Sequence, residues 1–227
     1  MVRSIALHLP WYDSKLSLKR LDLITVDLPQ KVVFTSGIGV RKSRRALIVK
    51  WTDEDGRIGY GECSCRPDPY YSEEFLEAAL PLVEHYLWPE LVKAQTLWDL
   101  HKRMRKVRGW YFTKAAMEFA ALDLLQSSTG TSFFASWDLW PSVERIPVGI
   151  SIGIHDTLES LHQVIQSSKD LGYRRLKFKI SPQTNTRLFE DVRSELQGLY
   201  ISFDANGTFR SNDLEGLAFF AELGEMI

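Results

Sequence analysis

Residues 145–205 read RIPVGISIGI (145–154), HDTLESLHQVIQSSKDLGY (155–173), RRLKFKI (174–180), SPQTNTRLFEDVRSELQGL (181–199) and YISFDA (200–205). IPVGISI, RRLKFKI and YISFDA are β-rich runs, and helical patterns fall at 157–171, 184–196 and 212–223, so the order is βαβαβα. Units of about 30 residues predict parallel strands with right-handed crossovers, in an open doubly wound sheet or a β/α barrel. A nucleotide-binding open sheet should carry a glycine-rich turn after its first strand, and ISIGIHDT has no such motif. Gly37-Ile38-Gly39 precedes no helix and reads as a turn, so dinucleotide binding is disfavoured.

Upstream the texture differs. Residues 1–20 mix Trp, Tyr, His and charges without a period, which predicts an extension carrying no chemistry. LDLITVDL (21–28), KVVFT (31–35), ALIVKWT (46–52) and RIGYGE (57–62) are short β-rich runs separated by TSGIG and DEDG turns, predicting an antiparallel three-stranded meander. Helices are expected near 72–86, 94–107 and 113–126, the last marked by Ala116, Phe119, Ala120 and Leu124 on one face. The expected organisation is therefore an N-terminal extension (1–20), an α+β domain (21–142) and the first three βα units of a TIM-type barrel (143–227).

Lys plus Arg total 28 against 29 Asp plus Glu, so no basic field recruits nucleic acid or an anionic membrane. A small-molecule partner is expected. The longest strongly apolar uncharged run, 146–154, is well short of the ~20 residues of a membrane span, and no signal-peptide pattern opens the chain. The expected location is cytoplasmic. Cys63 and Cys65 sit two apart, too close for an easy mutual disulfide, and no further thiol exists for a zinc site; a reducing compartment suits them.

In RRLKFKI, Leu176, Phe178 and Ile180 share one face and Arg175, Lys177 and Lys179 the other, although a covered parallel strand should be apolar on both. Either this is an edge strand with solvated lysines, or Lys177 and Lys179 are a catalytic pair in which repulsion and burial make one amine a base near neutrality. In YISFDA, Asp204 is the last inward residue before Asn206-Gly207 opens the loop, which is the position of active-site ligands at a barrel mouth; a helix-capping or loop-capping Asp is the alternative. Lys-x-Lys followed one βα unit later by Asp-Ala-Asn describes lysines that move a proton beside a metal-bound carboxylate.

LIVKWTDEDGRIGYGE (47–62), KAAMEFAALDLL (114–125), RIPVGISIGI (145–154), RRLKFKI (174–180) and FDAN (203–206) together resemble the enolase superfamily, within it the muconate-lactonizing subgroup, and there the o-succinylbenzoate synthases and N-acylamino-acid racemases. PVGISIGI and PDPYYSEE (67–74) carry the subgroup resemblance. It implies an α+β capping domain followed by a partial (β/α) barrel, with Lys179 the catalytic lysine, Lys177 its electrostatic partner and Asp204 one of three carboxylates holding Mg²⁺. It also implies abstraction of a proton alpha to a carboxylate, a reaction in which a Lys base works beside an enediolate stabilised by Mg²⁺. In the synthase, loss of a hydroxyl then forms o-succinylbenzoate for menaquinone or phylloquinone synthesis; the racemase instead reprotonates the opposite face.

By the same resemblance Ser151 approaches the substrate, Phe34 and Ser36 lie on the capping loop with Thr35 and Gly37, Tyr71 lies on a second loop, and Asn206 bonds substrate or metal water. Each has a structural alternative: a strand-end hydroxyl, turn packing, or a loop tie. The family barrel has eight strands and this chain ends as the fourth begins, so further carboxylates and a second lysine are not identifiable. The expectation is a truncated product, a fragment, or half of a split enzyme, with an oligomer or a complementing barrel half as possible partner. An inactive remnant and an α/β binding module without catalysis are the competing classes.

Overall fold

The computed structural model describes residues 11–37, 39–130 and 146–225. The chain forms two compact units, Met1–Leu28 with Arg44–Val143, and Pro29–Ser43 with Glu144–Ile227. The expected boundary at 142/143 lies outside the described residues. That expectation also left 29–43 with the first domain, whereas this hairpin tip groups with the second unit. Its reason is non-local: Ile154 N–H donates to the Thr35 carbonyl at 2.9 Å.

The first unit holds the sheet β1 (Leu18–Ser36), β2 (Gly39–Asp53) and β3 (Ile58–Cys63), in that order, with the tip of β1 and β2 passing to the second unit. LDLITVDL and KVVFT fuse into one strand through Pro29, whose missing N–H is tolerated because β1 is an edge. The DEDG turn closes on Asp53, whose buried carboxylate accepts from Arg57 N at 2.8 Å and Arg57 Nε at 2.7 Å. In the antiparallel register Val49 faces Gly61 and Trp51 faces Gly59.

Those glycines admit the long helix of the unit. A Cβ at Gly61 would lie 2.0 Å from the Ala116 carbonyl oxygen, and one at Gly59 would lie 2.1 Å from that of Ala120. The helix α4 (Tyr111–Thr129) therefore packs backbone-close on β3, burying Ala116, Met117, Ala120 and Leu124 against Leu47, Val49 and Trp51. It exceeds the expected 113–126 at both ends and stops at Gly130 in the left-handed region.

The helical run expected at 72–86 begins later, as α1 (Leu76–Leu82), and continues through a π-turn (Val83–Leu87) into α2 (Trp88–Leu91). Pro81 removes one helical N–H donor, and the widened turn follows it. The start is displaced because Glu74 is used elsewhere. Its carboxylate, 2% exposed, accepts from Phe112 N, Thr113 N and Thr113 Oγ1, each at 3.1 Å, and so caps the first turn of α4 from a distant segment. α3 (Leu97–Met104) is capped by Thr96, whose hydroxyl accepts from Asp99 N at 3.1 Å.

Residues 11–20 of the expected extension are instead part of the fold. Trp11, Leu16 and Leu18 are buried in the core of this unit, and Leu16 N–H donates to Gln95 O at 2.9 Å. No period marked them because they enter the core as single residues and not as a face of one element.

In the second unit β4 (Gly149–Ile152), β5 (Arg175–Lys179) and β6 (Tyr200–Asp204) run parallel in that order. They alternate with α5 (Leu158–Asp170), α6 (Arg187–Asp191) with α7 (Arg193–Leu196), and α8 (Leu214–Glu225), which is the expected βαβαβα order. One sheet face is apolar: Ile152, Leu176, Phe178 and Ile180 are buried with Leu161, Ile165, Val192 and Leu196 of the helices. Phe178, Phe189, Phe203 and Phe220 interlock with centroid separations of 4.7–6.1 Å.

Candidate active site

Burying Leu176, Phe178 and Ile180 on the helix face sends Lys177 and Lys179 to the other face by strand alternation. Parallel pairing then fixes their neighbours. Ser151, Lys177 and Ser202 form one row across the sheet, and Lys179 pairs with Asp204 in the row above.

Asp204 is the meeting point. Lys179 Nζ donates to Asp204 Oδ2 at 2.7 Å and to Asn206 Oδ1 at 2.8 Å, while Lys177 Nζ reaches the same Oδ2 at 3.3 Å. Oδ1 accepts from Asn206 N at 3.0 Å. Lys179 is thus not a freely solvated lysine, its side chain being 11% exposed, whereas Lys177 at 41% remains open to solvent beside an Asp204 that is 29% exposed. The Lys179 hydrogen bond holds the Asp204 carboxyl down at about 2, helped by the Asn206 N–H and Lys177 and opposed by partial desolvation.

Asn206 sits in the left-handed region (φ 50°), a conformation its short amide tolerates, and Gly207 follows at φ 70°. That bend returns the Asn206 side chain over Lys179. Among the described residues the Ser202 hydroxyl is buried without a hydrogen-bond partner, on the face shared with Lys177 and Asp204.

The hairpin tip of the same unit covers the strand ends. Besides the bond from Ile154 to Thr35, a Cβ at Gly153 would stand 3.0 Å from the Thr35 carbonyl oxygen and 3.7 Å from the Phe34 ring. A Cβ at Gly37 would stand 2.7 Å from Thr208 Cγ2. Phe34 thus lies against the loop after β4, and Ser36, whose hydroxyl donates to Gly39 O at 3.3 Å, is occupied in shaping the turn. Ser151 is exposed beside Lys177. Tyr71 lies in the first unit, exposed on the segment between β3 and α1.

Ser202, Thr208 and Gly153 were not singled out as site residues from the sequence. The alternation Tyr200, Ser202, Asp204 carries a signal for Ser202. Nothing local carries one for Thr208 or Gly153, whose roles come from a hairpin more than a hundred residues away in the chain.

The Mg²⁺ implied by the resemblance needs a set of hard oxygen ligands, and Asp204 alone supplies one carboxylate whose oxygens already accept from Lys177, Lys179 and Asn206. No cluster of three His, Cys, Asp or Glu groups suited to a metal occurs among the described residues. The donor set described here does not by itself fit the ion. No helix among these residues is long and apolar enough to cross a membrane.

Comparison with known proteins gives the following. No family model matches the chain. It is 31% identical over 193 residues to a protein named o-succinylbenzoate synthase from Listeria innocua, an alignment that spans 84% of this chain and 51% of that protein. It is 30% identical over 206 residues to an N-succinylamino acid racemase from Amycolatopsis, spanning 89% and 55% of the two. The chain therefore spans about half the length of the curated relatives it matches. Among solved structures, an enolase-superfamily protein from Listeria innocua superposes with a TM-score of 0.78 at 28% identity, covering 92% of this chain and 56% of that one. A muconate lactonizing enzyme from Pseudomonas fluorescens, at 19% identity and a TM-score of 0.79 over 92% of this chain and 58% of that one, shares the fold.

Proposed function

We propose that this chain, homologous over most of its length to enolase-superfamily proteins, carries the lysine side of an active site that removes a proton alpha to a carboxylate, as an o-succinylbenzoate synthase does. The observation that supports this most directly is Lys179, held between Asp204 Oδ2 and Asn206 Oδ1 at the C-terminal ends of adjacent parallel strands. Two of its hydrogen-bond positions are fixed by those oxygens. One position of the tetrahedral nitrogen is left for a substrate, aimed by its neighbours and not by its own flexible stem.

In this reading Lys179, after its ammonium has lost one proton to solvent, keeps its two N–H donations to Asp204 and Asn206 and uses the freed lone pair to take the proton from the carbon beside the substrate carboxylate. The electron pair left behind delocalises onto the carboxylate oxygens, and the Lys177 ammonium favours negative charge there. In the synthase reaction the β-hydroxyl then departs with that proton as water, and the ring becomes aromatic. Phe34 and the hairpin tip exclude solvent above the strand ends, and Ser151 and Ser202 offer hydroxyls to polar substrate groups. Asp204 would supply one carboxylate toward a Mg²⁺ ion, whose charge would favour the electron-rich carboxylate of the substrate.

Racemisation of N-succinylamino acids is the second reading, favoured by the relative of that name at 30% identity. It begins with the same proton transfer. The test is formation of o-succinylbenzoate from its hydroxycyclohexadiene precursor by the protein carrying this chain, alongside exchange of the α-proton of N-succinylamino acids in D₂O. Lys179→Ala should lower both rates about 10²–10⁴-fold, the usual contribution of a positioned acid–base group. A variant that keeps its rate overturns the assignment of the base, and exchange without o-succinylbenzoate formation selects the racemase.

A further inference from the structure

Cys63 ends β3 and Cys65 follows two residues on, both turned inward by strand alternation while Glu62 and Ser64 face solvent. Their sulfurs are 3.4 Å apart, and Cys63 Sγ is 3.7 Å from Thr113 Oγ1. Nothing in the proposed proton transfer uses them. Yet the pair stands at the root of the segment 64–75, which carries Tyr71 and is anchored at its far end by the Leu76 N–H to Arg66 O bond at 2.9 Å.

We propose that Cys63 and Cys65 are an oxidation site, a buried dithiol that a small hydroperoxide converts into a strained and readily reduced disulfide.

Three features of the geometry carry this. First, the sulfurs already touch, and reaching the bonded separation of about 2.05 Å requires roughly 1.4 Å of approach, within what χ1 adjustments supply. Second, two extended residues place the Cα atoms roughly 6.6 Å apart, near the upper limit of about 6.8 Å for a disulfide. The bond therefore forms under strain, and strained disulfides are the labile, switching kind. Third, the two thiols are electrostatically unlike. The hydrogen bond from Cys65 favours the Cys63 thiolate and lowers that group, whereas the same pairing and burial push Cys65 up.

The oxidant must be small, because Cys63 is 0% and Cys65 3% exposed. The Cys63 thiolate attacks one oxygen of hydrogen peroxide and the O–O bond breaks. Hydroxide leaves and, with the proton released by Cys63, becomes water, so that Cys63 carries a sulfenic acid. The Cys65 sulfur displaces the sulfenic hydroxyl, which leaves with the Cys65 proton as a second water. Two thiols have lost two electrons and two protons, and one peroxide has become two waters. Closing the bond draws Cys65 toward β3 and re-sets the segment that follows. Formation of the bond does not depend on the proposed function.

The experiment treats the folded protein with hydrogen peroxide, removes the excess with catalase, denatures, alkylates with iodoacetamide and reads intact and peptide masses. The expected result is loss of two hydrogens, no alkylation at either cysteine, and recovery of two alkylated cysteines after dithiothreitol. Cys65→Ser should halt at a Cys63 sulfenic acid trapped by dimedone. Amide exchange over 64–75 should change on oxidation and revert on reduction. Two alkylatable thiols after treatment, sulfinic or sulfonic acid at either residue, or a disulfide between chains would each overturn the proposal; so would an oxidised pair with unaltered exchange over 64–75. The wild-type mass measurement decides even if the Ser variant fails to fold, and it reads the same whether or not the protein makes o-succinylbenzoate.

Discussion

Asp204→Asn tests the electrostatics of the site without any substrate. In the native state the Asp204 carboxyl is held at about 2 by Lys179, Asn206 and Lys177, whereas its ordinary value is 3.8. The lowering is on the order of 2 kcal/mol of native-state stabilisation. Because the side chain is 29% exposed and Lys177 is more so, solvent screening makes this an upper figure, and about 1–2 kcal/mol is the working expectation. The sign follows from the depressed value: the contribution is complete above the unfolded pKa, near 4, and is lost as pH falls through 4 toward 2. Asn cannot ionise, so the gap between wild type and variant should be widest at pH 6–7, narrow between pH 4 and 2, and close below 2. Amide hydrogen exchange in β5 and β6 reads the opening free energy of this unit itself, and ¹³C titration of the Asp204 carboxyl reads its pKa directly. A gap that is equally wide at pH 2 and pH 6, or an Asp204 carboxyl titrating at 4 or above, would refute the ion-pair account.

Two further outcomes concern the first unit. Gly61→Ala places a methyl 2.0 Å from the Ala116 carbonyl oxygen, so α4 or β3 must move by more than an ångström; a loss of about 1–3 kcal/mol in urea unfolding is expected, and an unchanged midpoint would show that α4 does not pack this closely. Glu74→Ala leaves Phe112 N, Thr113 N and the Thr113 hydroxyl without their acceptor at a buried helix start, at a cost of about 2–4 kcal/mol, with Glu74→Gln falling between; equal stability of the Ala and Gln variants would contradict the capping role.

Local periodicity made the second unit legible. The period of two in RRLKFKI and YISFDA is a property of consecutive residues, so it placed Lys177, Lys179 and Asp204 on one face before any tertiary contact was considered. It could not show that both lysines converge on a single oxygen, since that depends on the pairing of Lys179 with Asp204 across strands. The same limit applies to Glu74, whose neighbours Ser72 and Glu73 look like an ordinary helix start, while its carboxylate serves a helix that begins at Tyr111. It applies again to Trp11 and Leu16, core residues with no element to announce them.

Glycine shows where local and non-local meaning part. Gly37 lies in the turn expected there, but a turn alone would tolerate several residues after Ser36. A Cβ at Gly37 would stand 2.7 Å from the Thr208 methyl, which would have to turn aside, and one at Gly153 would crowd the Thr35 backbone at 3.0 Å. These two close approaches lie on opposite strand-end loops, one after β4 and the other after Asp204, and the hairpin tip reaches both. A side chain at either position would strain the contact of the tip with these loops, whereas no such contact fixes β5 against β6. Docking of the hairpin tip on the strand-end loops and the placement of the lysines are therefore separable: the first rests on close approach at glycines, the second on strand alternation and the shared carboxylate.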